Sequence, residues 1–263
     1  MPKLRVNHKD FRWTLAAFVA VGLSGFFINQ VIATQLGVAV LGRYNMLLAI
    51  VIVGGQIGVM GMQGSMLYHT PKARSEGTST SEVVCSGVLA TALTSSITTL
   101  VFYVGGEILL RSVGNLYFLD GLRAVTIGLF LFPINKVLLA HINGLQRIPI
   151  FSCIFSGRYI LLASSAAVVA YNFDSDQLLP WTITMTEGLI FVSLVIANRS
   201  EIIGLEKWCN KREMVNLHFR YGRRGFLGAT LLDLNTRLDI ILLGLISGAS
   251  SVGIYSVASL FAD

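Results

Sequence analysis

Charged side chains interrupt segments of this sequence that are otherwise almost entirely apolar. The segment LLDLNTRLDIILLG, residues 231–244, carries two acids and an arginine, and single charges stand in equally apolar surroundings upstream. Such groups could bind a charged ligand by ion pairing and hydrogen bonding. The three cysteines have no spacing typical of metal ligands, so we expect no metal site and no cofactor. The candidate binding residues are Lys136, Arg158, Arg237, Glu187, Asp233, Asp239 and the amide Asn29.

The composition requires an apolar environment around these residues. Hydrophobic residues make up 54% of the 263, and charged residues make up 13%. Soluble domains have roughly a quarter charged residues. Because the apolar residues form long runs and not short alternations, the sequence predicts an all-α fold, a polytopic membrane helical bundle.

Seven runs are long enough to cross a bilayer, which takes about 20 apolar residues in a helix. An eighth run begins near Ser251. We expect the chain to stop inside that eighth helix, and therefore to be a fragment or a shortened gene product. The seven predicted spans are residues 13–34, 44–68, 83–105, 122–144, 150–172, 178–198 and 221–246.

Lysine and arginine are distributed unevenly between the two sets of loops. The N-terminus and the loops on its side of the membrane carry 14 of them, and the opposite side carries three. Since cytoplasmic loops are enriched in basic residues, this predicts a multi-pass protein of the bacterial cell (inner) membrane with a cytoplasmic N-terminus. The net charge of +6 is thereby explained by topology, and we expect no nucleic-acid partner.

The position of the charges along the helices indicates how deep they lie. Lys136 stands eight residues before the end of the fourth span and Arg158 eight residues after the start of the fifth, so both lie about 12 Å inside the membrane. A charge at mid-bilayer costs about 2.5–3.5 kcal/mol, so these side chains must face each other or water. In the seventh span Asp233 and Arg237 are four residues apart, so we expect them to share a face of the helix, where they can pair.

Two interpretations of these charges stay open. They could form internal ion pairs that only fix helix packing, which suits Asp233. Alternatively they could line a wet cavity, which suits Arg237. Lys136 and Arg158 have no acid one turn away in sequence. They could therefore either pair with another helix or bind an anionic ligand.

A short repeat suggests two related halves. VLGRYNMLLAI begins at Val40 and SVGIYSVASLF at Ser251, and both contain an aliphatic residue, then Gly-x-Tyr, 211 residues apart. Both copies follow a span preceded by basic residues. We predict parallel repeats related by an axis along the membrane normal, with residues 1–205 as a six-helix N-terminal lobe and 206–263 as the start of a C-terminal lobe.

The stretches TQLGVAVLGRYNMLLAIVIVGGQIGVMGMQGSMLY, HINGLQRI and NTRLDIILLGLISGASSVGIYSVASLF resemble the bacterial polysaccharide (O-antigen, Wzx-type) flippases of the multidrug/oligosaccharidyl-lipid/polysaccharide (MOP) exporter superfamily. The resemblance implies a MATE-like two-lobe architecture, with the first six-helix lobe complete and the second cut short. It also implies translocation of an undecaprenyl-pyrophosphate-linked oligosaccharide from the cytoplasmic to the outer leaflet. The implied partners are this anionic lipid-linked oligosaccharide, membrane lipids and the polysaccharide polymerase machinery.

Other functions remain as alternatives. A cation-coupled multidrug exporter of the same superfamily would favour acids in the cavity, and Glu187 and Asp239 could serve. An inactive fragment is a further possibility. A membrane-embedded glycan polymerase or another enzyme is disfavoured, because the outer loops are short and the four histidines fall on or near the cytoplasmic side.

Overall fold

The structure, a computed structural model, describes residues 8–173, 176–203, 212–235 and 237–259. Within these ranges the chain forms eleven α-helices and one short 3-10 turn, Asp176–Leu178, and no strand. In chain order the helices are α1 (His8–Gln35), α2 (Val38–Val59), α3 (Met62–Glu76), α4 (Thr80–Ser112), α5 (Leu116–Gly144), α6 (Ile148–Asn172), α7 (Leu179–Ala197), α8 (Arg199–Ile202), α9 (Arg212–Asn235), α10 (Leu238–Ser247) and α11 (Ala249–Ser259).

Local sequence signals set several of these helix ends. The side chains of Ser79 and Asn115 accept hydrogen bonds from backbone amides in the first turns of α4 and α5. Pro149 and Pro180 stand in the first turns of α6 and α7, where a missing amide proton costs nothing. Gly77 ends α3 in the left-handed conformation that glycine adopts most readily.

Six helices of the described chain are long and apolar enough to cross a membrane. They correspond to the first six predicted spans, so the all-α, multi-pass class is confirmed. Helix α4 shows most clearly why these helices suit a membrane. One side of it exposes Leu93, Ile97, Leu100 and Ile108, each with about 60% or more of its surface open. Such a contiguous apolar face fits lipid and not water.

The second predicted span, 44–68, is wrong as one continuous helix. The chain leaves the helix at Met60 and Gly61, both with positive φ, and resumes as α3. A side chain on Gly61 would overlap the backbone of Gly222 in α9. Glycine is therefore required here both by its conformation and by the close approach of another helix.

The seventh predicted span, 221–246, is also wrong as one helix. Helix α9 ends at Asn235 and α10 begins at Leu238, with Arg237 as its N-cap at φ −134°. The predicted helical spacing between Asp233 and Arg237 therefore does not hold. Polar residues with weak helix propensity occupy the junction, which is the physical reason for the break.

The core lies where α1, α2, α5, α6 and α7 meet. Buried Leu41, Tyr44, Leu122, Ala166 and Ile183 pack together there. A smaller cluster, with Ala49 from α2, Ile240 from α10 and Val252 from α11, joins the later helices to the first group. The predicted boundary between residues 205 and 206 lies outside the described residues.

Helices α2 and α11 pack against each other through the repeated motif. A side chain on Gly42 would overlap the carbonyl group of Ala249, and one on Gly253 would overlap the carbonyl group of Val38. Gly42 thus faces Ala249, which lies four residues before Gly253, and Gly253 faces Val38, which lies four residues before Gly42. The contact is therefore reciprocal between the two copies of the motif.

Helix α9 packs on α3 and α4 through a buried histidine, His218. Its Nε2 lies 3.1 Å from the carbonyl oxygen of Val83, which can only accept, so Nε2 carries the proton. Its Nδ1 lies 2.8 Å from Oγ of Ser65 and accepts from that hydroxyl. The His69 ring lies 5.9 Å away, edge to face. Burial, followed by the charge of His69, lowers the pKa of His218 to about 4.

Candidate functional site

A cavity of about 530 Å³ lies among the helices, within the size range of small-molecule sites. Helices α1, α2, α3, α5, α6, α7, α10 and α11 contribute to its wall. Five of the seven residues predicted from sequence line it: Asn29, Lys136, Arg158, Glu187 and Arg237. Residues far apart in the sequence therefore share one site. The remaining polar lining comes from Ser24, Asn45, Gln63, Asn143, Tyr159, Thr186, Ser256 and Ser259.

Arg158 on α6 and Glu187 on α7 form an ion pair in the cavity wall. Nε of Arg158 lies 3.2 Å from Oε1 of Glu187, and the two side chains are 11% and 5% exposed. The other carboxylate oxygen accepts a 2.8 Å hydrogen bond from the Asn135 amide on α5. The guanidinium carbon also lies 4.9 Å from the ring centroid of Phe132. Of the two open interpretations of Arg158, pairing with another helix is the one observed.

This pair leaves hydrogen-bonding capacity on the guanidinium. Nη2 of Arg158 is buried and has no hydrogen-bond partner among the residues that the structure describes. A buried donor without a partner carries a desolvation cost that an incoming acceptor would remove. Arg158 can thus be paired with Glu187 and still bind an anion.

Lys136 on α5 is held by a neutral group. Its Nζ donates a 2.7 Å hydrogen bond to Oε1 of Gln56 on α2 and lies 5.2 Å from the centroid of the Phe132 ring. This amide helps to orient the ammonium group toward the cavity that Lys136 lines. Phe132 contacts both cations, since Arg158 packs on the same ring.

Amides continue the polar wall toward α1. Nδ2 of Asn45 donates a 3.0 Å hydrogen bond to Oδ1 of Asn29, and Asn29 in turn donates to the carbonyl oxygen of Gly25. The sequence interpretation selected Asn29 but missed Asn45, Gln56 and Asn135. The signal that identified Asn29, an amide side chain within an apolar span, was also present at these three positions.

Asp239 and Asp233 are the two remaining predicted residues. Asp239 is not among the residues that line the cavity. Its carboxylate accepts hydrogen bonds from the Tyr255 hydroxyl and from the Ile240 amide, so it ties α10 to α11. The side chain of Asp233 lies outside the described part of the chain.

The cavity has a positive balance of charge. Its described lining contains the three cations Lys136, Arg158 and Arg237, and Glu187 is the acid among them. Fixed charges act more strongly in a low-dielectric site than in water. The arrangement can therefore attract an anionic group and hold it by hydrogen bonds.

Positions 211 residues apart line the same cavity. Asn45 and Ser256 form one such pair, Leu48 and Ser259 a second, and Asn29 and Ile240 a third. Gly42 and Gly253, which form the contact between α2 and α11, are also 211 residues apart. Together these positions support a two-fold arrangement around the cavity.

No protein-family profile and no curated protein matches the sequence. Among solved structures, the chain is similar to the inward-facing conformation of a multidrug resistance MATE family transporter of the MOP superfamily. The TM-score is 0.65 at 16% identity, over 90% of this chain. The chain spans 57% of the length of that transporter.

This likeness defines the class of fold. The described helices adopt the MATE-like architecture expected from the sequence, around a cavity with a positively charged lining. With six apolar helices, the chain is a multi-pass membrane protein with the fold of MOP-superfamily transporters.

Proposed function

We propose that this chain belongs to a transporter that moves an undecaprenyl-pyrophosphate-linked oligosaccharide from the cytoplasmic to the outer leaflet of the bacterial cell inner membrane, with a cytoplasmic N-terminus. The observation that carries the proposal is the excess of cations over acids among the described residues that line the cavity. The fold of MOP-superfamily transporters supports a role in membrane transport.

The physical chemistry of the substrate supports this choice. A sugar-pyrophosphate headgroup cannot enter hydrocarbon unaided, because the loss of hydration is too costly. In the proposed mechanism, Lys136 and the partnerless Nη2 of Arg158 bind the pyrophosphate first. Arg237 then takes part as the two lobes rock about the site. The isoprenoid tail stays in the bilayer throughout.

Replacing each cation in the full-length protein tests this proposal. Lys136→Gln, Arg158→Gln and Arg237→Gln should each lower surface polysaccharide at unchanged expression, whereas Lys9→Gln, on the exposed start of α1, should not. The proposal fails if all three cavity variants support wild-type levels of surface polysaccharide.

A cation-coupled multidrug exporter is the second candidate function. The similar solved structure is described as a multidrug resistance transporter, and Glu187 supplies a buried acid in the cavity. Under this alternative, cells expressing the full-length protein should extrude a cationic dye, and Glu187→Gln should abolish the extrusion. Under the flippase proposal the same cells show no dye efflux above a vector control.

A further inference from the structure

Three aromatic residues on α6 form a continuous surface along one wall of the cavity. Phe151, Phe155 and Tyr159 recur at steps of four, so they share one face of the helix, and all three line the cavity. The rings of Phe151 and Phe155 are nearly parallel, with centroids 5.7 Å apart. Tyr159 meets Phe155 edge to face at 5.8 Å. We call these three residues the α6 aromatic strip.

A contact from α1 supports the strip. Phe18 on α1, an exposed residue, contacts the Phe155 ring edge to face at 6.0 Å. At its deeper end the strip reaches Tyr159, the neighbour of Arg158 in the sequence. The strip and the cations assigned to the pyrophosphate therefore line one cavity.

Neutral amides and hydroxyls occupy other parts of the same cavity wall. Asn29 and Asn45 on α1 and α2, Gln63 on α3 and Asn143 on α5 all line it. Each amide offers both a donor and an acceptor, which matches a hydroxyl group that also does both. Aromatic faces carry negative charge density and attract the weakly positive C–H groups of a sugar ring. Rings and amides in one cavity are thus the chemistry that recognises carbohydrate.

We propose that the α6 aromatic strip binds the sugar residues adjacent to the pyrophosphate by stacking, while the cavity amides hydrogen-bond their hydroxyls. This inference rests on the proposed function and assigns the glycan its own binding surface. A cationic ligand suits the strip less well, because the described lining of the cavity carries more cations than acids. Binding of the isoprenoid tail would not require the amides.

Binding to the purified full-length protein in nanodiscs tests the inference with two probes. One probe is undecaprenyl pyrophosphate, and the other is the native glycolipid extracted from cells that lack the transporter. Phe155→Leu and Tyr159→Leu should each weaken binding of the glycolipid about threefold to tenfold. Both variants should leave binding of undecaprenyl pyrophosphate unchanged. Tyr159→Phe keeps the ring and should bind both probes like the wild type.

Control variants separate the possible failures. Tyr171→Leu replaces an exposed aromatic at the far end of α6 and should affect neither probe. Lys136→Gln should weaken both. The inference is overturned if the leucine variants at 155 and 159 leave glycolipid binding unchanged, or weaken both probes equally. If the wild type binds neither probe above a neutral lipid, the proposed function itself fails and the inference fails with it.

Discussion

The guanidinium of Arg158 and the carboxylate of Glu187 meet in the wall of the cavity at 3.2 Å, joining α6 to α7. Both side chains are nearly buried, so each charge depends on the other. The pair is thus at once a link between helices and part of the site surface. A residue that binds substrate in this protein can also be one that holds the bundle together.

Removing one member of this pair should destabilise the protein. Arg158→Met or Glu187→Met leaves a buried charge without its partner, which typically costs about 3–5 kcal/mol. The double variant removes both charges, so its melting temperature in detergent should lie above that of the weaker single variant. Arg111→Met, in an exposed pair with Glu107, serves as the control and should change the melting temperature little. Additive losses in the double variant would mean that the two charges are not coupled.

Replacing Gln56, which accepts a hydrogen bond from Lys136, by glutamate should weaken transport and leave the helix packing intact. Gln56→Glu has nearly the same shape and can still accept the hydrogen bond from Lys136, but it adds a negative charge beside the cation. Surface polysaccharide should fall severalfold, with normal expression and monodispersity. Gln35→Glu adds the same charge at the exposed end of α1 and should have no effect. Equal activity of the two variants would contradict a role for cavity charge.

The contact of α9 with α3 and α4 should weaken in acid. The pKa of His218 is about 4 in the folded protein, below the ordinary value of 6.5, so the unfolded chain binds more protons between these values. The stability contributed by the neutral ring is therefore complete above about pH 6.5. It is lost progressively as the pH falls toward 4, by about 1.4 kcal/mol for each unit of pKa difference. Burial and Lys72 lower the pKa of neighbouring His69 as well.

Melting temperatures measured from pH 7.5 to 4.5 test this dependence. The wild type should lose more stability over this range than His218→Asn, whose side chain does not titrate. His8→Asn, at the exposed start of α1, should follow the wild type. Parallel curves for the wild type and His218→Asn would exclude His218 as the source of acid sensitivity.

The glycine contact between α2 and α11 should not tolerate a side chain. Gly42→Ala would place a methyl group against the backbone of Ala249, and overpacking of this kind typically costs about 1–3 kcal/mol. Gly22→Ala is the matched control, since in the described part of the chain no atom beyond the local helix backbone lies within 4 Å of the added carbon. We expect a lower melting temperature for Gly42→Ala and an unchanged or higher one for Gly22→Ala. A neutral Gly42→Ala would show that the helices can separate there at no cost.

The sequence predicted the membrane class and most spans because long apolar runs have few alternative structures. It missed both helix breaks for a common reason. Both breaks lie inside runs of high average hydropathy, one at Met60 and Gly61 and the other at Arg237. The first break depends on the backbone conformation of two residues, and the second lies among a few polar side chains, so neither changes the average. Depth along α5 and α6 placed Lys136 and Arg158 at one level, and both line the cavity. Gln56 and Glu187, which contact them from other helices, could not be assigned. The spacing of residues within one helix does not show which other helices pack against it.

The paired glycines, Gly42 and Gly253, place equivalent positions of the two repeats on opposite sides of one axis. An axis along the membrane normal would exchange the two copies and leave the two faces of the membrane distinct. The side chains at matched positions differ, however: Asn29 corresponds to Ile240, and Arg237 corresponds to Phe26. The two walls of the cavity therefore differ in what they can bind, so a cargo between them would meet an amide on one side and an aliphatic side chain on the other.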